Sequence, residues 1–296
     1  MSKDLTAIDK AQVPNRDPNG RLAGKVALVI GAGASAPGWG NGNATCALFA
    51  REGCTVYCVD RNETAAKETA DLVESMGPSG AYGQADATSA SEIERVVRDC
   101  IGRFGRIDIL HNNVGGGVPG GVLDMEEDKW NYVLKANLTV AYISCRATLP
   151  HMIAQGGGVI INVSSLAAIA YMENSMAAYA AAKMGMIAMT RNLALDHVAQ
   201  NIRANCIVVG TIDTAEIRRR VRTRFGDDRV GEIMALRATM PRIRRAGTPW
   251  DIAHAALFLA SPEANYISGT ELIVAAGDSI PIIPSYLNQV RDALGA

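Results

Sequence analysis

Tyr179 and Lys183 stand four residues apart in the run Tyr-Ala-Ala-Ala-Lys. On an α-helix this spacing places both side chains on one face, so a phenol and an ammonium would lie next to each other. A free tyrosine has a pKa of about 10, and attraction between a phenolate and an ammonium about 5 Å apart is worth roughly 3 kcal/mol at an effective dielectric constant of about 20. That energy is enough to lower the pKa of the phenol by about 2 units. The pair predicts a proton-transfer site, although pairs with this spacing also occur on solvated helix faces.

The composition favours one large α/β domain or two modest ones in a water-soluble protein. The chain has 296 residues, 48% of them hydrophobic, and a net charge of −1, so nothing in its charge attracts nucleic acid or anionic membranes. No run of about 18 or more apolar residues is present, and the polar start of the chain lacks the apolar core of a signal peptide. We therefore expect a cytoplasmic protein with a loose arm over residues 1–22 and no nucleic-acid or membrane partner.

The cysteines and histidines are scattered along the chain, without a Cys-x-x-Cys motif. This pattern favours reduced thiols that pack as small hydrophobic side chains, and it predicts neither disulfides nor a metal site. The residues concerned are Cys46, Cys54, Cys58, Cys100, Cys145, Cys206, His111, His151, His197 and His254.

Short apolar runs alternate with longer amphipathic runs, which is the pattern of βα units that build a parallel sheet. The predicted strands are 26–30, 55–59, 80–84, 107–111, 158–163, 202–208 and 271–274, and the predicted helices are 43–52, 64–76, 89–104, 127–154, 176–200 and 248–260. Seven strands with interleaved helices predict a single doubly wound α/β domain over 23–278. The interruption at 211–247 has the length of a lid or a disordered loop, and 279–296 would be a tail.

A glycine-rich loop follows the first predicted strand and precedes an apolar helix. Glycines allow the backbone to approach a pyrophosphate, and a helix N-terminus supplies N–H donors and a favourable dipole. The order of strand, loop and helix favours a dinucleotide site over a simple turn. The candidate residues are Gly31, Gly33, Gly40, Asn41 and Gly42.

The second predicted strand leads directly into Asp60, the position at which dinucleotide-binding folds hold the adenosine ribose hydroxyls. A carboxylate there would repel the 2′-phosphate of NADP, so Asp60 favours NAD as the cofactor, with NADP the less favoured alternative. Arg61 is the one nearby cation that could offset this repulsion. The other interpretation of Asp60 is an ordinary surface aspartate at the end of a strand.

Taken together, these motifs resemble the single-domain branch of the short-chain dehydrogenase/reductase family, over about residues 22–278. Gly31, Gly40 and Gly42 are similar to the family's glycine motif, although the loop from Gly31 to Gly40 is five residues longer than the family's spacing. Further matches, in the family's order, are Asp86 and Ala87 for the adenine turn, Asn113, Val114 and Gly115 after the fourth strand, Asn137 on the following helix, Ser165 closing the fifth strand, Tyr179 with Lys183, and Gly210, Ile212 and Thr214 in the segment that closes over the cofactor.

The resemblance implies a Rossmann-type fold and an NAD(P)-dependent oxidoreductase that interconverts a secondary alcohol and a ketone. Tyr179 would exchange a proton with the substrate oxygen, while Lys183 would lower the pKa of Tyr179 and hold the nicotinamide ribose. Ser165 would hydrogen-bond the same substrate oxygen, and Asn137 would hold a water that links Lys183 to solvent. Two alternatives stay open, an NADPH-dependent carbonyl reductase and an NAD-binding sensor or scaffold without catalysis.

The resemblance also implies a homotetramer or homodimer. Relatives pair the long helices that correspond to 127–154 and 176–200 here. The small residues 177–182, together with Met184 and Met186, would form the close-packing face, and the tail 279–296 could reach a neighbouring subunit.

Ten arginines and four acidic residues lie between Ala215 and Arg245, which gives this segment a charge of +6. The resemblance places the segment over the substrate, so arginine forks could select an acidic alcohol or ketone. The alternative is that these arginines lie on solvated helix faces. If the arginines select acidic substrates, neutralising the arginines of 218–222 would reduce activity on acidic substrates and leave activity on neutral ones. The glycine-rich loop 115–121 would border the nicotinamide, either as a flexible turn or as a wall of the substrate pocket.

Overall fold

A seven-stranded parallel sheet forms the centre of the protein, in a computed structural model that describes residues 20–77, 79–171 and 175–280. The strands are β1 (Val26–Ile30), β2 (Thr55–Asp60), β3 (Gly80–Gln84), β4 (Ile109–Asn112), β5 (Gly158–Ser165), β6 (Ile202–Val209) and β7 (Glu271–Val274). Their order is β3-β2-β1-β4-β5-β6-β7, with every neighbouring pair parallel. The order reverses at β1 and β4, where open α/β sheets form a ligand crevice. The predicted doubly wound, Rossmann-type single domain is confirmed.

Helices cover both faces of this sheet. They are α1 (Asn41–Arg51), α2 (Glu63–Glu74), α3 (Ala90–Phe104), α4 (Glu127–Leu134), α5 (Val140–Ala154), α6 (Ala177–His197), α7 (Ala215–Phe225), α8 (Val230–Thr239) and α9 (Pro249–Ala260). None of these helices, within the ranges described above, is long and apolar enough to cross a membrane.

The core consists of two layers on either side of the sheet, because successive side chains of a strand point to opposite faces. Ala27 and Val29 of β1 pack with α1, α2 and α9. Val26, Leu28 and Ile30 pack on the other face with α3, α5 and part of α6. All five residues of β1 are buried, which explains why this strand is a continuous apolar run in the sequence. The six cysteines are free and buried.

The start of β4, the segment 211–247 and the N-terminal arm differ from the sequence expectations. β4 begins at Ile109, two residues later than expected, and just before it the carboxylate of Asp108 accepts a hydrogen bond from the amide of Val26 at 2.9 Å. The segment 211–247 contains α7 and α8, so it is neither a bare lid loop nor disordered. Leu22, assigned to the loose arm, is 1% exposed and packs in the core. The rest of the predicted arm and the tail beyond Ile280 lie outside the described residues.

Candidate active site

Helix α6 places Tyr179 and Lys183 side by side near the carboxyl end of β5. The Nζ atom of Lys183 lies 5.7 Å from the centroid of the Tyr179 ring and donates a hydrogen bond to the carbonyl oxygen of Val163 at 2.9 Å. The hydroxyl of Ser164 donates to the main-chain carbonyl of Lys183 at 2.9 Å, which ties the helix to the end of the strand. The ammonium of Lys183 is therefore buried and held in one position.

Removal from water changes the pKa values of both side chains in this pair. Burial raises the pKa of Tyr179, while a hydrogen bond with Ser165 and the positive charge of Arg220 partly offset that rise. Burial lowers the pKa of Lys183 to about 8. The net direction for Tyr179 is opposite to the lowering expected from its spacing to Lys183, because the ammonium is directed at the carbonyl of Val163 and desolvation of the phenol dominates.

A π-helical turn over Lys135–Thr139 joins α4 to α5 and contains Asn137. Single π turns inside α-helices are frequent at functional sites. The side chain of Asn137 is fully buried, donates from Nδ2 to the carbonyl of Gly116 at 2.8 Å, and accepts at Oδ1 from the amide of Gly116 at 3.1 Å. A Cβ atom on Gly115 would lie 2.7 Å from Oδ1 of Asn137 and 2.8 Å from Nζ of Lys183. Asn137 and Lys183 therefore meet at a position that only glycine can occupy without displacing them.

The glycine loop that follows β4 lies against Tyr179. A Cβ atom on Gly117 would lie 3.2 Å from Cγ of the Tyr179 ring and 2.2 Å from Cε of Met176. Gly120 forms a parallel bridge with Met176, and its amide donates to the carbonyl of Ser175 at 2.8 Å. These contacts favour the interpretation of this loop as a wall of the cleft over that of a flexible turn.

A buried polar network, which sequence analysis missed, supports the helices that carry these residues. Nδ2 of Asn112 donates to Oδ1 of Asn162 at 2.8 Å, and the hydroxyl of Ser144 donates to Oδ1 of Asn112 at 2.7 Å. Nδ2 of Asn162 donates to Oγ1 of Thr190 at 2.8 Å. The network joins β4, β5, α5 and α6. The available signal was the presence of asparagines inside otherwise apolar strands.

The predicted phosphate loop connects β1 to α1 and is closely packed. A Cβ atom on Gly42 would lie 2.0 Å from the carbonyl oxygen of Gly31, so the first turn of α1 rests directly on the start of the loop. Nδ2 of Asn113 donates to that same carbonyl at 2.9 Å. Oδ1 of Asn41, at the first position of α1, is buried and has no hydrogen-bond partner in the described part of the chain.

Asp60 lies over this loop from the end of β2. Its Oδ2 accepts a hydrogen bond from the amide of Gly33 at 3.1 Å, and its Oδ1 accepts from the amide of Asn62 at 3.0 Å. A Cβ atom on Gly33 would lie 3.0 Å from the carboxylate of Asp60 and 2.7 Å from Cβ of Ala65. The acidic side chain is therefore held at the rim of the glycine loop, where a ribose diol would meet it.

The predicted adenine turn at Asp86 and Ala87 follows β3. A hydrogen bond from the amide of Thr88, at 2.8 Å, lowers the pKa of Asp86, and the charges of Lys135 and Arg61 add to this effect. Ala87 is buried beneath the turn. Arg61 is exposed, so its charge acts on the outer rim of the crevice.

The predicted closing segment after β6 leads into α7. The amide of Gly210 donates to the carbonyl of Val274 at 3.0 Å, and a Cβ atom on Gly210 would lie 2.7 Å from Cα of Ala275. Ile212 is buried and pairs with Gly247 in an isolated bridge. Thr214 caps α7 through a hydrogen bond that its Oγ1 accepts from the amide of Ile217 at 3.2 Å.

The lengthened glycine loop contacts the helices of the closing segment, a role that its sequence did not reveal. The hydroxyl of Ser35 donates to Oε2 of Glu216 at 2.6 Å, and the carbonyl of Trp39 accepts from the amide of Ala215 at 2.9 Å. The rings of Trp39 and Trp250 lie 4.6 Å apart between centroids, so the loop is also packed against α9.

These features fit a nicotinamide dinucleotide. The glycine loop leads into the N-terminus of α1, an arrangement that binds pyrophosphate. Asn41 presents a buried acceptor without a donor among the described residues, and Asp60 presents a carboxylate for ribose hydroxyls. Val114 borders the same crevice, since its Cγ2 would lie 3.0 Å from a Cβ atom on Gly31. The crevice is adjacent to Tyr179 and Lys183, because the loop after β4 borders both. Val114 of this loop lies against Gly31, and Gly115 lies against Nζ of Lys183.

Comparisons with known proteins show similarity to reductases and dehydrogenases over most of the chain. A family model described as Enoyl-(Acyl carrier protein) reductase matches residues 36–279. Among curated proteins, Dehydrogenase/reductase SDR family member 6 of Danio rerio is 32% identical over 258 residues, which are 87% of this chain and 98% of that protein.

Solved structures share the fold and the sequence pattern. A Burkholderia xenovorans protein described as a short-chain dehydrogenase/reductase is 42% identical, has a TM-score of 0.84, and matches over 89% of this chain and 100% of that one. A 7 alpha-hydroxysteroid dehydrogenase complexed with NADH and 7-oxo glycochenodeoxycholic acid is 34% identical, with a TM-score of 0.77, over 88% of this chain and 96% of that one.

Proposed function

Because this chain belongs to the short-chain dehydrogenase/reductase family and is an oxidoreductase of that family, we propose that it interconverts a secondary alcohol and a ketone with NAD as the hydride carrier. The observation that carries this proposal is the placement of Tyr179, Ser165 and Lys183 together at the edge of a crevice that fits a dinucleotide.

Ser165, Tyr179 and Lys183 have separate roles in the proposed proton transfer. Ser165 hydrogen-bonds the substrate oxygen and steadies the charge that develops on it. Tyr179 takes the hydroxyl proton when an alcohol is oxidised and returns it when a ketone is reduced. Lys183, buried beside the ring, supplies the positive charge that favours the phenolate. When bound, the cofactor supplies the hydride acceptor or donor for the substrate carbon.

Asn137 acts on this arrangement through the backbone. Its two hydrogen bonds fix Gly116, and the adjacent Gly115 packs on Nζ of Lys183. The proposal therefore makes Asn137 a positioning residue for the loop and the lysine. A water held by Asn137 that links Lys183 to solvent remains part of the proposed proton route.

The first test is the absorbance of NADH during incubation of the purified protein with NAD and a panel of neutral and acidic secondary alcohols. We expect turnover by the wild type and a loss of roughly 100-fold or more in kcat for Tyr179→Phe, because one proton-transfer group contributes about 10²–10⁴-fold. NAD binding by Tyr179→Phe, measured by calorimetry, should persist. A wild type that binds NAD yet turns over no alcohol and reduces no ketone would favour the sensor or scaffold alternative.

A further inference from the structure

The structure separates the arginines of the segment 215–245 according to their partners. Most of those on α7 and at the start of α8 are paired with a nearby acid, as expected for solvated helix faces. These pairs are Arg218 with Asp213, Arg219 with Glu216, Arg222 with Asp227 and Arg229 with Glu232.

Arg220 differs because its guanidinium reaches the catalytic cleft. Its Nη2 atom would lie 3.5 Å from a Cβ atom placed on Gly116. Asn137 holds this glycine by two hydrogen bonds, and its neighbours Gly115 and Gly117 lie against Lys183 and Tyr179. The charge of Arg220 is close enough to Tyr179 to lower the pKa of that phenol. Arg220 is therefore the member of this helix whose cation faces the reacting groups.

Glu216 holds Arg220 by one nitrogen only. Nε of Arg220 donates to Oε1 of Glu216 at 2.6 Å, and in the part of the chain that the structure describes neither Nη group has an acceptor. Both Nη groups can therefore donate to a ligand. A guanidinium fork of this kind matches the two oxygens of a carboxylate.

The charges around Glu216 leave an excess of positive charge at the cleft. Burial alone would raise the pKa of Glu216, but hydrogen bonds from Arg219, Ser35 and Arg220 hold it at about 2, so this carboxylate is ionised. One negative charge is thus shared by two guanidinium groups. The net charge of about +1 that results is available to an anion entering the cleft.

We propose that Arg220, positioned by Glu216, binds an anionic group, a carboxylate in the first instance, carried by the alcohol or ketone substrate. This inference rests on the proposed function and narrows it to acidic substrates. It also assigns to one residue, Arg220, the anion selection that the sequence suggested for the arginine-rich segment as a whole. Ser35 adds a link to the cofactor loop, because it shares Glu216 with Arg220.

The experiment compares ring-bearing secondary alcohols offered as free carboxylates and as their methyl esters, since each ester differs from its acid mainly in charge. For Arg220→Gln we expect kcat/KM to fall about 10- to 100-fold on the carboxylates, mainly through KM, because a hydrogen bond to a charged group is worth that factor. Activity on the esters should fall much less, and through kcat, because Arg220 also lowers the pKa of Tyr179. Arg220→Lys should restore part of the loss as a point charge.

Arg229→Gln is the matched control, because Arg229 belongs to the same arginine-rich segment but pairs with Glu232, and its side chain is 54% exposed against 47% for Arg220. It should leave both substrate classes unaffected. Equal losses on acids and esters, or equal losses in the two glutamine variants, would overturn the proposal. A weaker NADH affinity of Arg220→Gln, measured by fluorescence titration, would also overturn it, because it would assign Arg220 to the phosphates of the cofactor.

The same data separate this inference from the proposed function. A wild type that oxidises neither esters nor acids contradicts the proposed reaction itself. A wild type that oxidises the esters, but shows no preference for the acids and no change in Arg220→Gln, contradicts only the anion site. Thermal unfolding of each variant confirms that a loss of activity is not a loss of folding.

Discussion

Tyr179 and Lys183 show how two desolvated groups depend on each other. Burial raises the pKa of the phenol and lowers that of the ammonium to about 8, so each charge by itself is disfavoured in this site. A phenolate that forms next to an ammonium replaces two isolated charges with one ion pair. Ser165 and Arg220 also lower the pKa of the phenol. The proton-transfer group is thus tuned by several neighbours and not by the lysine alone.

Replacing Asp60 with alanine should change the choice of cofactor. The carboxylate is held at the rim of the glycine loop by the amides of Gly33 and Asn62, where it would repel a 2′-phosphate. We expect Asp60→Ala to raise KM for NAD and to lower KM for NADP, each by roughly 10-fold, the factor that corresponds to about 1.4 kcal/mol. Side-by-side Michaelis constants for the two cofactors measure this.

Asp71→Ala is a control for that experiment, because this carboxylate also lies on the β2 side of the protein but pairs with Lys67 on the surface of α2. It should leave both Michaelis constants unchanged. A wild type that already prefers NADPH would contradict the role of Asp60 and favour the carbonyl reductase alternative.

His111 should make the stability of the protein depend on pH. Its imidazole is fully buried on β4, both ring nitrogens lack partners within the described residues, and burial lowers its pKa to about 4. Between pH 6.5 and 4 the unfolded chain binds a proton that the folded chain does not, so the free energy of unfolding falls as pH falls through this window. The full effect is about 3 kcal/mol.

Urea unfolding of the wild type and of His111→Leu at several pH values tests this expectation. On acidification, the free energy of unfolding of the variant should fall less than that of the wild type, by up to about 3 kcal/mol. His151→Leu, in which the replaced imidazole is only partly buried on α5, should follow the wild-type curve. Parallel curves for the wild type and His111→Leu would show that His111 does not titrate as inferred.

At the scale of elements, the glycine loop shows that glycines of one motif have different structural tasks. A side chain at Gly42 would meet the carbonyl of Gly31 at 2.0 Å, whereas at Gly40 it would meet only Oδ1 of Asn43, at 3.8 Å. Gly40 is also the N-cap of α1 with extended backbone angles, a position that serine favours.

We therefore expect Gly42→Ser to lower the free energy of unfolding by about 1–3 kcal/mol, as forced overpacking does. Gly40→Ser should leave it unchanged or slightly higher. Thermal or denaturant unfolding of the protein without cofactor measures both, so the result is independent of nucleotide binding. Equal stability of the two variants would contradict the close contact between the loop and α1.

The helices beyond β6 differ most from what their sequence indicated. The arginine-rich run was compatible with a lid, a disordered loop or a solvated helix face, and the structure shows α7 and α8, with α7 capped by Thr214. Contacts from the distant glycine loop, through Ser35 and Trp39, hold the start of α7. Such contacts join residues about 180 positions apart in the chain, which local patterns do not report.

At the scale of the whole molecule, exposed apolar side chains on α4 and α6 suggest where subunits would pair. α4 packs against α6, and Tyr132, Met184 and Leu195 are 58%, 43% and 78% exposed. The face expected from the sequence needs correction, because Met186 and the nearby Ala182 are fully buried inside the subunit. The expected oligomer would therefore use Met184 and Leu195 and not Met186.

We predict that Leu195→Glu combined with Met184→Glu shifts the protein towards smaller assemblies, because each buries a charge in an apolar contact. Size-exclusion chromatography with light scattering gives the mass. Leu123→Glu, at a fully exposed leucine in the segment after β4, is the control and should keep the wild-type mass. An unchanged mass for the double variant would place the interface elsewhere.

The sequence by itself determined the parallel sheet, its seven strands, and the places along the chain of the residues that could do chemistry. Periodicity and burial follow from local composition, which is why six of the seven strands start where the apolar runs start. The Tyr-x-x-x-Lys spacing was informative for the same reason, since one helix fixes the relation between Tyr179 and Lys183.

Tertiary structure alone decided what surrounds those residues. The direction of the pKa of Tyr179, the π turn at Asn137, and the selection of Arg220 from ten arginines all depend on groups from distant elements. Desolvation and charge act through space, and their size depends on which side chains exclude water from a site. A sequence records the side chains present, but their separations exist only after the chain has folded.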